Sequence, residues 1–173
     1  LIDKMSKARS LDDQLSACIR AVCKVLQAER AIIFMVDEDR NELRLRVAKQ
    51  MGAALEADGP PLIPIVTFPL TEGIRGYVAR TGEVVRVDDV YADERFCSDI
   101  DEHTGLRTRS MLTVPIVLRE GSKKRVIGVL QAMDRLGGNE GKFSDDDETL
   151  CTSIASSASS FLHMSNLQEK ELL

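Results

Sequence analysis

Two apolar, β-branched runs, Ser110 to Leu118 and Val126 to Met133, flank a polar turn containing Gly121. Their composition suits a pleated surface and the short polar stretch between them suits a reversal, so they read as the central strands of an antiparallel sheet. Further strands are available to widen it. Ala31 to Val36 is a continuous apolar run, the pattern of a strand covered on both faces, and Asp37 to Asn41 supplies a turn. Leu43, Leu45 and Val47 then alternate with Arg44, Arg46 and Ala48, as in a strand with one side on the core and the other in solvent. These two strands are expected to form a hairpin. Short strands are expected at Val66 to Leu70 and around Val84, Val85 and Val87.

The long helices belong to the two chain ends. Ser10, with Asp13 three residues on, has the form of a capping box, and Leu11, Leu15, Cys18, Ile19, Val22, Val25 and Leu26 follow at helical spacing. Ser144 opens a second helix, in which Asp145, Asp146 and Asp147 sit where the positive end of the helix dipole favours acids. Its apolar positions, Leu150, Ile154, Ala158, Phe161 and Leu162, share one face. A shorter helix is expected from Glu72 to Arg80, with Gly82 as its C-terminal cap. Gly52 to Pro64 lacks periodicity and reads as a loop, long enough to act as a lid. Asp88 to Gly105 is polar and acidic with isolated Val90, Tyr91, Phe96 and Ile100, which suits short helices and loops over a pocket. The layout is α+β: a central antiparallel sheet, N- and C-terminal helices packed on one face, and short helices and loops covering a ligand pocket on the other. The domain proper is expected over residues 11–163, and residues 1–10 and 164–173 read as connecting helix segments or, equally, as frayed ends.

With 173 residues the chain has the size of one domain with a substantial core. A formal charge of −5 and scattered cations argue against a general nucleic-acid binder. The one basic run, Lys123, Lys124 and Arg125, falls where a solvated hairpin tip is expected. Cys18, Cys23, Cys97 and Cys151 form no CxxC pair, so neither a zinc site nor a disulfide framework is suggested, and a cytoplasmic setting fits. No apolar run is long enough to cross a bilayer, and Leu1 to Arg9 lacks the hydrophobic stretch of a signal peptide. The start at Leu1 points to a piece of something longer.

Asp134-Arg135, then Phe143, then Asp147-Glu148 resembles the Asn-Lys, Phe, Asp-Glu signature of GAF domains in cyclic nucleotide phosphodiesterases and some cyclases, with Asp134 in place of Asn and Arg135 in place of Lys. Asp101, Thr104-Gly105, Arg107-Thr108-Arg109 and Thr113-Val114-Pro115 match the cyclic-nucleotide-binding members in register. Gly73-Ile74-Arg75-Gly76 and Val126-Ile127-Gly128-Val129 match further landmarks, so the resemblance runs from Leu11 to Phe161. It implies a GAF fold and a non-catalytic, regulatory domain of a larger signalling protein, with a phosphodiesterase as the favoured parent. The implied ligand is cAMP or cGMP, with binding transmitted through the terminal helices of a homodimer.

In this family the nucleotide lies between the sheet and the short helices, with its phosphate near helix N-termini, where unpaired N–H groups hold an anion without any lysine. By resemblance, Ile74 is a ligand-contacting position, and Gly73 beside it either permits close backbone approach or shapes the helix start for packing. Asp101, Thr104 and Thr108 match polar positions lining the pocket, and Gln131 a place where an acidic or amide side chain reaches the ligand. A polar side chain within an apolar strand is notable on its own. The alternative has Gln131 facing solvent and the threonines capping or stitching loops. Cys97 stands where the family often has an aromatic residue, and Ile32 where it often has a small polar one. Gln50 and Met51 fall near the site where some members discriminate bases. Asp134, Arg135, Phe143, Asp147 and Glu148 imply structural support outside the pocket, with a salt bridge between Arg135 and Asp147 and Phe143 buried beside it.

Two other functional classes are open to such a domain. One is a dimerisation module without ligand, suggested by Cys97, Ile32 and the hydrophobic end segments. The other is a thiol-dependent reductase of free methionine sulfoxide, which needs neighbouring pocket cysteines where only Cys97 falls in the covering loops. A covalent bilin or haem site finds neither His103 nor His163 next to a cysteine.

Overall fold

A computed structural model describes the backbone of residues 2–50 and 67–171 and the side chains of residues 11–48 and 67–165. The expected loop from Gly52 to Pro64, Val66, Met51 and the side chain of Gln50 lie outside the described residues. In chain order the elements are α1 (Ile2–Leu26), β1 (Ala28–Asp37), β2 (Glu42–Gln50), β3 (Thr67–Pro69), α2 (Gly73–Thr81), β4 (Val85–Val87), α3 (Asp99–Thr104), β5 (Met111–Glu120), β6 (Lys123–Arg135) and α4 (Asp145–Glu171), with 3-10 turns at Val90–Ala92 and Asn139–Gly141. The strands form one six-stranded sheet in the order β3-β2-β1-β6-β5-β4. Every neighbouring pair is antiparallel. The hairpin of β5 and β6 therefore lies inside the sheet, and three-residue strands, β3 and β4, form its two rims.

Successive residues of a strand face opposite sides of a sheet, which divides the core in two. One side takes Ala31 and Ile33 of β1, Leu112, Val114 and Ile116 of β5, and Leu130 and Ala132 of β6. Against them pack Leu15, Ile19, Val22 and Leu26 of α1 and Cys151, Ala155, Ala158 and Leu162 of α4. The terminal helices touch each other as well as the sheet, as expected. Small residues on α4 let it approach β5 closely, and the Ser159 hydroxyl donates to the Val117 carbonyl at 2.6 Å, beside an irregularity in the β5–β6 ladder. A fully buried Leu, Ile or Val here contributes about 1.5–3 kcal/mol, so this layer is the main source of stability.

Three local expectations need correction. Helix α1 runs straight through Ser10 from Ile2, so Ser10 and Asp13 do not mark its start. Val25 and Leu150 are exposed rather than inward-facing; on α4 the buried stripe begins at Cys151. On β2, Ile33 pairs with Val47 and Phe34 with Leu45, which leaves Arg46 as an extra residue in a bulge. The bulge sends Val47 to the helix side, while Leu43 and Leu45 pack on the other. The end of α2 is as read from the sequence: Gly82 has φ 72°, a left-handed cap that donates from its N–H to the Val78 carbonyl at 2.8 Å.

Candidate functional site

The second face of the sheet is covered by the shorter elements. Ile32 and Phe34 of β1, Leu43 of β2, Phe68 of β3, and Met111, Val129 and Met133 of β5 and β6 form an apolar layer beneath Ile74 and Val78 of α2. Phe96 and Ile100 pack onto it from the segment that carries α3. Gly76 is needed for α2 to sit this low, because a β-carbon there would stand 2.5 Å from the Leu70 carbonyl oxygen.

Gln131 lies at the middle of this apolar layer. It pairs across the sheet with Ile32 on one side and Thr113 on the other, and it is 3% exposed, so it does not face solvent. Its amide nitrogen donates to the Thr113 hydroxyl at 3.2 Å and approaches the Met111 sulfur at 3.4 Å.

Asp101 and Thr108, which the sequence places seven residues apart, are joined directly. The Thr108 hydroxyl donates to Asp101 Oδ1 at 2.7 Å, and the Thr108 N–H and the Tyr91 hydroxyl both donate to Oδ2, at 2.8 and 2.7 Å. The pKa of the Tyr91 hydroxyl is raised, first by that hydrogen bond and then by desolvation and the carboxylate charge. Beyond Thr108 the chain of contacts continues through Arg30, whose guanidinium donates to the Thr108 hydroxyl at 2.9 Å and to Asp134 Oδ2 at 2.6 Å. Thr104 is used within α3, donating to the Ile100 carbonyl at 2.8 Å.

Asp134 occupies a left-handed backbone position, φ 58°, which Asn and Asp tolerate better than most residues. There its Oδ1 accepts from the N–H groups of Arg109 and Ser110 at 2.6 and 3.1 Å, fastening the approach to β5. Next to it, Arg135 Nε lies 2.9 Å from Asp147 Oδ2, a charge pair whose N–H is not aligned as a hydrogen bond. Asp147 also accepts from the Ser144 N–H at 2.8 Å while the Ser144 hydroxyl accepts from the Asp147 N–H, a reciprocal cap on α4. Glu148 and Asp145 share Arg86 of β4, and Phe143 is buried in the helix-side layer. An open groove of about 640 Å³ runs past Tyr91, Arg107, Asp134 and Arg135, but none of its walls comes from α2, Cys97 or Gln131.

Three charged residues of this face, Arg30, Arg75 and Asp99, were not singled out as site residues from the sequence. Arg75 of α2 is 4% exposed, stacks on Phe68 with its guanidinium carbon 4.1 Å from the ring centre, and donates to Asp99 Oδ2 at 2.6 Å. The signal was present: Ile74, Arg75 and Val78 fall together on the inward stripe of a helix, and a cation on that stripe is unusual.

The cysteines fall on opposite sides. Cys97 is partly exposed and adjoins Gly73, whereas Cys18, Cys23 and Cys151 are buried in the terminal helices. Burial raises the Cys18 thiol, and burial together with the nearby Asp147 charge pushes Cys151 up to about 12, so both are protonated and inert at neutral pH. Paired pocket thiols for sulfoxide reduction are therefore not assembled among the described residues. Nor do these residues contain a cluster of His, Cys, Asp or Glu that could hold a metal ion, or a helix long and apolar enough to cross a membrane.

Comparison with known proteins bears directly on this arrangement. Over 166 residues the chain is 30% identical to a probable 3',5'-cyclic phosphodiesterase, pde-5, of Caenorhabditis elegans, covering 93% of this chain and 21% of that protein. It is 36% identical over 132 residues to the dual 3',5'-cyclic-AMP and -GMP phosphodiesterase 11A of Takifugu rubripes, covering 73% of this chain and 14% of the relative. The chain thus spans about a fifth or less of these relatives' length. Among solved structures, residues 122 to 287 of a methyl-accepting chemotaxis protein superpose with a TM-score of 0.70 at 29% identity, covering 91% of this chain and 92% of that one. The family model described as GAF domain matches residues 10–162. On that match, and with the sheet and helix layers in place, the chain belongs to the GAF domain family.

Proposed function

We propose that this chain is a cytoplasmic regulatory domain that binds cAMP or cGMP on the sheet face covered by α2 and α3, and that it has no catalytic role of its own. The single observation that carries this reading is the buried pair of Gln131 and Thr113. These residues sit on strands already joined by a backbone ladder, so their hydrogen bond connects nothing that the ladder does not. An apolar pair of the same shape would serve stability as well. Amide and hydroxyl groups at the centre of an apolar layer are what recognition of a purine edge and a ribose requires. Ile74, Cys97, Asp101, Thr104 and Thr108 are the other residues assigned to the ligand in this reading. The two relatives named as cyclic nucleotide phosphodiesterases, of which this chain matches about a fifth or less, support it.

Binding reaches the terminal helices through contiguous polar contacts. Asp101 of α3 joins Thr108, Thr108 joins Arg30, and Arg30 joins Asp134; the next residue, Arg135, pairs with Asp147 in the first turn of α4. A ligand that draws on Asp101 or Thr108 biases α4 to the extent that it binds two arrangements of this chain with different affinity. Calorimetry with cAMP and cGMP tests the proposal. Saturable heat with either nucleotide supports it, and no heat together with no thermal shift at millimolar ligand overturns it.

A second reading, a homodimerisation module that takes no ligand, is favoured by a different observation. Asp101 and Thr108 satisfy each other, Thr104 is taken up by the Ile100 carbonyl, and α4 leaves Leu150 and Met164 exposed. Light scattering across a concentration series decides it, since a strict monomer at high concentration removes this reading.

A further inference from the structure

We infer that Arg75 is the counter-charge for the ligand's phosphate group, and that Asp99 occupies the position this phosphate takes. The inference rests on the cyclic nucleotide reading above and deepens it by assigning the charged end of the ligand to a residue. A buried cation must be paired, and Arg75 is paired incompletely. One terminal nitrogen donates to Asp99 Oδ2, while Nε is buried without a partner. Asp99 does not fill the guanidinium fork: only its Oδ2 meets Arg75, and its other oxygen, Oδ1, is turned to the Ile100 N–H of its own helix at 2.8 Å. A phosphodiester presents two equivalent oxygens and can take Nε and a terminal nitrogen together.

The position of the fork agrees with this role. The guanidinium carbon would lie 3.6 Å from a β-carbon on Gly73, and Cys97 closes the same spot at 3.6 Å. Arg75 therefore folds back over the first residue of α2, where the N-cap Glu72 supplies no side-chain cap and the first N–H groups remain for an anion. The aromatic layer of Phe68 and Phe34 beneath fixes the guanidinium plane.

Exchange of the two anions is asymmetric in what it requires. The Arg75 side chain is 5% exposed and cannot leave, whereas the Asp99 side chain is 23% exposed and can turn to water. One carboxylate charge leaves as one phosphodiester charge arrives, so the buried cation stays neutralised throughout. The released residue opens α3, which carries Asp101 and Thr104, so filling the fork acts on the same helix that begins the polar chain toward α4. The chemical class selected is a singly charged phosphate ester, and a nucleoside lacking phosphate leaves Asp99 in place.

The test combines the Arg75 Nε–H resonance, assigned by its loss in Arg75→Lys, with calorimetry on the whole chain. Titrants are cAMP, cGMP and inorganic phosphate. Nucleotide is expected to shift that resonance saturably, and Arg75→Lys, which keeps the charge but loses the fork, to weaken binding by about tenfold or more. Asp99→Asn, which removes the competing charge, is expected to tighten it several-fold, with thermal melts confirming that both variants fold. If nucleotide binds while the resonance stays still and Arg75→Lys binds equally well, this inference is overturned and the nucleotide reading stands. A saturable shift with phosphate in a chain that ignores both nucleotides has the opposite result: the anion site stands and the nucleotide reading falls. No response to any titrant removes both, and weaker binding by Asp99→Asn overturns the exchange.

Discussion

Leu130 and Gln131 are neighbours on β6, are 0% and 3% exposed, and point to opposite faces of one sheet. Around Leu130 the partners from α1, α4 and the strands are almost all aliphatic. Around Gln131 the same strands meet a threonine, a methionine sulfur, a stacked arginine and, at the end of the sheet, a run of carboxylate and hydroxyl contacts. Burial alone does not distinguish the two sides. The kind of group that is buried does: one side gains from excluding water, and the other buries polar side chains in hydrogen-bonded pairs.

The widest separation between the faces is expected in thiol chemistry. At pH 8 in the native state, Cys97 reacts with a disulfide reagent more than about a hundredfold faster than Cys151, because burial and a raised pKa act together on the latter. Comparable rates would erase the contrast. Because the folded Cys151 thiol lies above its ordinary value of 9.0, stability is intact below pH 9 and declines as the pH climbs through 9 toward 12. Cys151→Ala removes that part of the decline. Next in size is Leu130→Ala, expected to cost about 2–5 kcal/mol in denaturant unfolding while leaving nucleotide affinity of the folded fraction unchanged. A loss below about 1 kcal/mol would mean that the helix side is not closely packed.

Asp134→Ala follows, at about 3 kcal/mol, because it strands the buried Arg30 charge and two backbone donors. Asp134→Asn, which keeps an acceptor for the backbone, is expected to recover part of that loss. The smallest change in stability is the most telling: Gln131→Leu with Thr113→Val is expected to shift unfolding by no more than about 1 kcal/mol in either direction while abolishing nucleotide heat. A loss above about 2 kcal/mol would give the pair a structural role and make the two faces alike.

The sequence exposed the architecture wherever a pattern repeats. Strands with β-branched runs, the cap at Gly82 and the acid-led start of α4 were all legible. The errors came from signals that are local. Ser10 with Asp13 and Ser144 with Asp147 have the same spacing, yet only the second pair caps a helix. The difference lies upstream, since Gly137, Gly138 and Gly141 break the chain before Ser144, whereas Ile2 to Arg9 contains neither Gly nor Pro and continues the helix. Leu150 and Cys151 show a second limit, because a rotation of one residue about a helix axis is invisible to a pattern with several near-equal choices. The Arg46 bulge shows a third, since an inserted residue reverses sidedness without disturbing alternation on either side of it. At the site, the polar residues other than Gln131 came from resemblance alone, and the geometry adds what resemblance did not contain: Asp101 and Thr108 bind each other, and Arg75 is buried on aromatic rings with the partly exposed Asp99 beside it.

The brevity of the rims, β3 and β4, has a consequence for the chain among its own copies. Long apolar strands such as β5 and β6 are a hazard when their backbone edges are bare, because another chain can dock and extend the ladder. Here β6 is paired on both sides from Gly128 to Met133, by β1 and β5, but β4 covers β5 only at Met111, Leu112 and Thr113, so no strand lies along the outer side of Val114 to Glu120 among the described residues. At β3 one of the three residues is Pro69, which has no amide hydrogen to offer. Two molecules at high concentration thus find no template along the middle of β6, and the one stretch of β5 left without a strand neighbour is interrupted by Pro115, which also has no amide hydrogen to offer.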